Sequence, residues 1–124
     1  MADQDLYSGL IRLHVLYHAS KESIFGLGMI RELRRHGYRV GPGTLYPLLH
    51  RLEQKGYLRS RQALVAGKNR RTYQITRLGR DALVQAKAKV RELFDELFED
   101  DALASLAEAA VRGTLNARIR RSSS

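Results

Sequence analysis

Gly43-Thr44-Leu45-Tyr46-Pro47-Leu48-Leu49-His50-Arg51-Leu52-Glu53-Gln54-Lys55-Gly56 is the stretch that decides how this chain folds. Leu45, Leu48, Leu49 and Leu52 fall on one side of a helix of period 3.6, so the segment reads as a helix with one buried stripe. Pro42 stands at its first position, where a missing N–H costs nothing and φ is already helical. Gly56 closes it. The face opposite the leucines presents Tyr46 and His50, with Arg51 and Glu53 beside them. Gly41-Pro42-Gly43-Thr44 makes the entrance small enough for another backbone to approach closely.

Upstream, Gly26 to His36 reads as a helix with Leu27, Ile30 and Leu33 inside and Arg31, Arg34 and Arg35 outside. Gly37 stops it, and Tyr38-Arg39-Val40 is short and extended. Before it, Leu6 to His18 forms a first helix on Leu6, Leu10, Leu13, Leu16 and Tyr17, with Ile11 and Val15 widening the stripe. Ala19 to Ser23 reads as a polar connection. Downstream, Tyr57–Val65 and Arg71–Ile75 have strand character, and Ala66-Gly67-Lys68-Asn69-Arg70 between them reads as a basic hairpin loop. Thr76 is placed to cap a long helix whose apolar positions Leu83, Ala86, Val90, Leu93 and Leu97 step by 3, 4, 3 and 4, a heptad seam. Phe94 and Phe98 lie beside that seam. Leu103 to Leu115 reads as a last short helix interrupted at Gly113.

Helix, helix, helix, strand, basic loop, strand, helix is the order of a winged helix-turn-helix. The expected fold class is therefore mainly α with a small β-hairpin, an α+β chain. A winged helix-turn-helix DNA-binding domain is expected over residues 1–78, a C-terminal helical dimerisation region over 79–117 and a disordered tail over 118–124. In that layout the third helix enters the major groove and the hairpin, or wing, lies along the backbone or the minor groove.

The charge distribution agrees. The chain of 124 residues carries a net charge of +9. Residues 34–80 hold 12 basic side chains against 1 acidic, whereas residues 81–111 hold 3 basic and 8 acidic. A surplus confined to the segment with the third helix and the hairpin suits phosphate neutralisation better than a diffuse solvated surface. The chain has no cysteine, which removes thiolate chemistry, Cys-type zinc sites and disulfides together. No glycine-rich phosphate loop leads to a lysine, and Glu96, Glu99, Asp100 and Asp101 read as a solvated helix end. The expectation is a protein that is not an enzyme and needs no cofactor. No long apolar run predicts a membrane span, and Met1 to Asp5 lack a signal-peptide layout, so residence in the cytoplasm is expected.

The run from Gly43 to Gly56 resembles the recognition helix of PadR-family transcriptional regulators. Arg70-Arg71-Thr72-Tyr73-Gln74-Ile75-Thr76-Arg77-Leu78-Gly79-Arg80 is similar to that family's second wing strand and the entry to its fourth helix, and Gly37-Tyr38 also fits. Gly41 departs from the pattern, since serine or a similar cap is more usual there. The resemblance covers roughly residues 6–98. It implies a homodimer that binds an inverted repeat in double-stranded DNA and represses a nearby gene or its own. It also implies dimerisation through the helix after the wing together with the first helix. The short region after the wing resembles the subfamily with a reduced C-terminal part. Some members bind aromatic or drug-like effectors near the dimer axis, a role open here to Tyr7, Tyr17, Phe94 and Phe98, for which ordinary packing is the alternative.

On this basis the candidate DNA contacts are Thr44, Tyr46, Pro47, His50, Arg51 and Lys55 on the third helix and Lys68, Asn69, Arg70 and Arg71 on the wing. Tyr46 has a second option, packing on the wing or the second helix; the alternative for Thr44 is a local cap, and for Pro47 a role in shaping the turn alone. The candidate dimer seam is Leu83, Ala86, Val90, Leu93 and Leu97. His14 and His18 stand at i and i+4 on the first helix, a spacing that can hold a metal ion. A third ligand is not evident in the sequence, with His36, His50, Glu22 or a partner's carboxylate open, so no metal is assigned.

Overall fold

Two glycines end the helix before the decisive stretch and the helix that the stretch itself forms. Gly37 takes φ +90° and Gly56 φ +82°, left-handed values that cost an L-residue with a Cβ about 1 kcal/mol or more. The computed structural model describes residues 4–123. Its elements are α1 (Gln4–Lys21), β1 (Ile24–Phe25), α2 (Gly26–Arg35), α3 (Pro42–Gln54), β2 (Leu58–Val65), β3 (Lys68–Ile75) and α4 (Arg77–Ser123). The three strands form one antiparallel sheet in the order β1-β3-β2. The chain divides into two compact units after Ala86.

The first unit is built as the leucine stripe requires. Leu45, Leu48, Leu49 and Leu52 of α3 are all buried. They join Ile11, Val15, Leu16 and Ala19 of α1, Met29, Ile30 and Leu33 of α2, and Val40, Leu58, Tyr73 and Ile75 in one core. Leu83 packs into the same core, which is why the unit extends into α4. The outermost residues of the stripe expected on α1 point elsewhere: Leu6 is 70% exposed, Leu10 44% and Tyr17 48%. Leu16 of that stripe is buried, and so are Ile11 and Val15, which were expected only to widen it.

Three boundaries differ from expectation. The connection expected over Ala19–Ser23 is helical as far as Lys21, and Ile24-Phe25 adds a short third strand by pairing with Tyr73 and Thr72. A two-residue strand carries too little alternation to be read from sequence. The hairpin loop is Ala66-Gly67 alone, because Lys68, Asn69 and Arg70 pair with Val65, Leu64 and Ala63. Lysine and asparagine are poor strand formers, which disguised this part of β3. The last short helix is also absent as a separate element, since α4 runs unbroken to Ser123, through Gly113 and the stretch expected to be a tail. The residues after Phe98 are mostly helix formers and include no proline, so one internal glycine costs only about 1 kcal/mol.

The wing turn carries a small strain. Ala66 has φ 52° and Gly67 φ 78°, the pair of positive values of a type I′ hairpin turn. Asparagine tolerates this conformation and alanine does not. Ala66→Asn is expected to raise stability by about 0.5 kcal/mol in urea unfolding. A loss of stability would show that the turn is not of this type.

Candidate nucleic-acid interface

The buried leucines of α3 fix which side chains face out. Tyr46, Pro47, His50, Arg51 and Lys55 are exposed, and Thr44 is half-buried in the first turn. Gly41 is the N-cap and offers no side-chain cap, while its carbonyl accepts from the N–H groups of Thr44 (3.1 Å) and Leu45 (3.0 Å). Pro47 sits inside the helix and removes the N–H that would otherwise bond toward Gly43. All the candidate contacts on this helix therefore lie on or beside its outer surface.

Tyr46 fulfils one alternative without losing the other. A Cβ on Gly26 would come 2.6 Å from the Tyr46 hydroxyl oxygen, so the ring lies directly over the start of α2. It nonetheless remains 47% exposed. Packing against α2 holds the ring in place, and its free side is open to a ligand.

The wing residues divide by strand alternation, since successive side chains in β3 point to opposite faces. Arg71 faces α3 and donates to Glu53 Oε1 at 3.1 Å. Arg70 faces the other way, with its guanidinium carbon 4.8 Å from the centre of the Phe25 ring. Lys68 and Asn69 are exposed next to the turn. The register places Arg59, Arg61 and Lys68 on the same face as Arg70. Arg59 and Arg61 were missed as candidates, although the alternation Arg-Ser-Arg in β2 signals two cations on one face.

Glu53, the one acid of the basic block, joins α3 to the wing. It accepts from the Ser60 hydroxyl, from the Ser60 N–H at 2.9 Å and from Arg71. The Ser60 hydroxyl bond, reinforced by the Ser60 N–H and Arg71, holds its carboxyl below the ordinary value of 4.5 against an opposing effect of burial. A carboxyl depressed in the folded state stabilises the fold above its unfolded pKa. That stabilisation is lost as the pH falls through the folded value. Glu53→Gln is expected to cost about 1 kcal/mol at neutral pH, the partial exposure of the pair limiting the effect. The loss should shrink in urea unfolding as the pH is lowered below 4.5. An unchanged difference at low pH would mean that the charge is not what matters.

The remaining candidates fall elsewhere. Of the seam on α4, Leu83 is buried in the core of the first unit and Ala86 is half-buried. Val90, Leu93 and Leu97 are 43%, 55% and 63% exposed. Phe94 and Phe98 are also exposed, with ring centres 4.7 Å apart. Tyr7 meets Tyr38 edge-on at 6.0 Å, and Tyr17 meets His18 at 5.2 Å. His14 and His18 lie on α1 beside His36. Burial, with His36 and His18 adding to it, lowers the His14 pKa from its ordinary value. Among the described residues no helix is long and apolar enough to cross a membrane.

Comparison with known proteins bears on this surface. Residues 15–85 match the profile of the transcriptional regulator PadR-like family. The chain is 49% identical over 87 residues to transcriptional regulator Rv3488 of Mycobacterium tuberculosis, covering 70% of this chain and 81% of that protein. Among solved structures, it resembles a PadR family transcriptional regulator from Eggerthella lenta with a TM-score of 0.67 and 30% identity, over 77% of this chain and 84% of that one. A Streptococcus transcriptional regulator shares the fold at a TM-score of 0.70 and 22% identity, over 77% of this chain and 95% of the other.

Proposed function

Because this chain belongs to the PadR-like family of transcriptional regulators, we propose that it is a repressor that binds an inverted-repeat operator in double-stranded DNA as a homodimer and is released by an effector. DNA binding itself follows from the family. The single observation behind the finer reading is the outer face of α3, where Tyr46, Pro47, His50 and Arg51 stand exposed on a helix anchored by four buried leucines. Such a face reads base edges in the major groove. Lys55 and the cations of the wing neutralise phosphates and set the register without reading sequence. Arg59, Arg61 and Lys68, on one side of the hairpin, are the natural backbone contacts of the wing.

Homodimerisation is supported by apolar surface that one chain leaves open. Val90, Leu93 and Leu97 follow heptad spacing, and Leu6 and Leu10 of α1 are exposed as well. A two-fold dimer presents two recognition helices to two half-sites, one helical turn apart or a multiple of it. Acting on genomic DNA, the protein works in the cytoplasm.

Selection of bound duplexes from a random library tests this. Enrichment of an inverted repeat is the expected outcome, and enrichment of one isolated half-site would contradict a dimeric reader. Gly26→Ala offers a subtler check. The new methyl group must displace the Tyr46 ring, so binding to the selected repeat is expected to weaken about tenfold, the loss of roughly one base contact. Binding to random duplex should hardly change. Equal losses on both duplexes would remove Tyr46 from base reading.

A further inference from the structure

Three imidazoles meet where α1 passes the end of α2. His14 and His18 are one turn apart on α1, and their rings are nearly parallel, with centres 6.2 Å apart. His36 is the C-cap residue of α2, and its ring centre lies 5.0 Å from that of His14. One ring nitrogen from each of the three can be chosen so that all lie within 4.8 Å of one another. Tyr38 closes one side of the group, edge-on to His14 at 5.4 Å. Glu32, one turn before His36, places Oε1 3.2 Å from His36 Nε2 and 3.7 Å from His18 Nε2. That oxygen also accepts from Arg35 at 2.8 Å.

The geometry points to a divalent transition-metal site formed by His14, His18 and His36, with Glu32 as the carboxylate at its edge. Ligand atoms about 2.1 Å from a common ion stand roughly 3–3.5 Å apart, so modest side-chain rotations bring the three nitrogens into range. His36 is exposed and ends a helix, which leaves it free to make that adjustment. Three nitrogen donors with a carboxylate beside them suit zinc, cobalt or nickel, whereas magnesium and calcium require oxygen-rich sites. With no cysteine in the chain, a thiolate-bound soft metal is not the occupant. A bound ion ties α1 to the residue that opens the turn before α3. The site stands independently of how the protein reads DNA.

The test uses the full chain and metal alone. Titration with Co²⁺ is expected to produce visible d–d absorption that saturates at one ion per chain, and Zn²⁺ is expected to abolish it. Competition with a chromogenic chelator then measures Zn²⁺ affinity for each variant. Losing an outer partner of a metal site costs about 10–100-fold, so Glu32→Gln should fall in that range, and His36→Gln and His14→Gln should lose more. Magnesium at the same concentration should neither bind nor compete. Circular dichroism of each variant separates loss of the site from loss of the fold, and His36→Gln, at an exposed position, is the variant least able to disturb the core. Absence of d–d absorption in the wild type would overturn the assignment, as would equal Zn²⁺ affinity in the wild type and a folded His36→Gln protein.

Discussion

Gly79→Ala is expected to lower stability by about 2 kcal/mol and the Tm by roughly 10 °C. Gly79 lies in the first turn of α4, where a Cβ would stand 2.7 Å from Ile75 Cγ1 and 3.0 Å from the Tyr57 carbonyl carbon, with the Tyr57 oxygen closer still. That carbonyl cannot easily retreat, because it accepts the Thr76 N–H at 3.0 Å. The Thr76 hydroxyl in turn accepts the Gly79 N–H at 3.0 Å and caps the helix. Overpacking against a pinned backbone costs about 3 kcal/mol, while alanine's better helix propensity returns about 1 kcal/mol, so the clash prevails. Gly9→Ala is the control. Among the described residues nothing beyond the local helix backbone lies within 4 Å of its new methyl group, and propensity alone should stabilise that variant by up to about 1 kcal/mol. Thermal unfolding followed by circular dichroism measures both, and the two substitutions should move Tm in opposite directions. An unchanged Tm for Gly79→Ala would show that α4 does not dock on the Tyr57 backbone in this way.

Leu93→Glu is expected to convert dimers to monomers in sedimentation and to weaken operator binding roughly 1000-fold, since each half-site then binds without the effective concentration supplied by the other. The effect on the fold of one chain should be small. Leu93 is 55% exposed, and glutamate is a good helix former, so a monomer loses little by the exchange. In a dimer the same change places a charge in an apolar seam, where burying it without a partner is costly. Intact dimers carrying this substitution would remove Leu93 from the interface.

How much was legible in the sequence follows from the range of the forces involved. The four leucines of α3, the stops at Gly37 and Gly56 and the Thr76 cap are local signals, and the structure repeats each of them. The outward face of α3 followed directly, because a buried stripe fixes its opposite. The wing was less readable. Its turn is Ala-Gly, which lacks the asparagine or aspartate that usually marks a type I′ turn, so the sequence does not mark how short the loop is. Once β3 begins at Lys68, alternation sends Arg70 and Arg71 to opposite faces, which no count of basic residues could reveal. The role of Glu53 depends on Ser60 and Arg71 arriving from two strands, and that of Tyr46 on the bare backbone of Gly26. Likewise His14 and His18 showed helical spacing, but only tertiary packing brings His36 beside them.

The most direct measurement is the affinity of the protein for a selected inverted-repeat duplex and for a scrambled duplex of equal length, followed by fluorescence anisotropy over a series of salt concentrations. Both affinities should fall linearly on a log–log plot, with a slope of about −0.9 per phosphate neutralised, as expected for a surface whose cations lie between residues 34 and 80. The inverted repeat should bind about 1000-fold more tightly than the scrambled duplex at physiological salt, a gap that the proposed reading assigns to Tyr46, His50 and their neighbours on α3. Equal affinity for the two duplexes at every salt concentration would contradict a sequence-specific regulator.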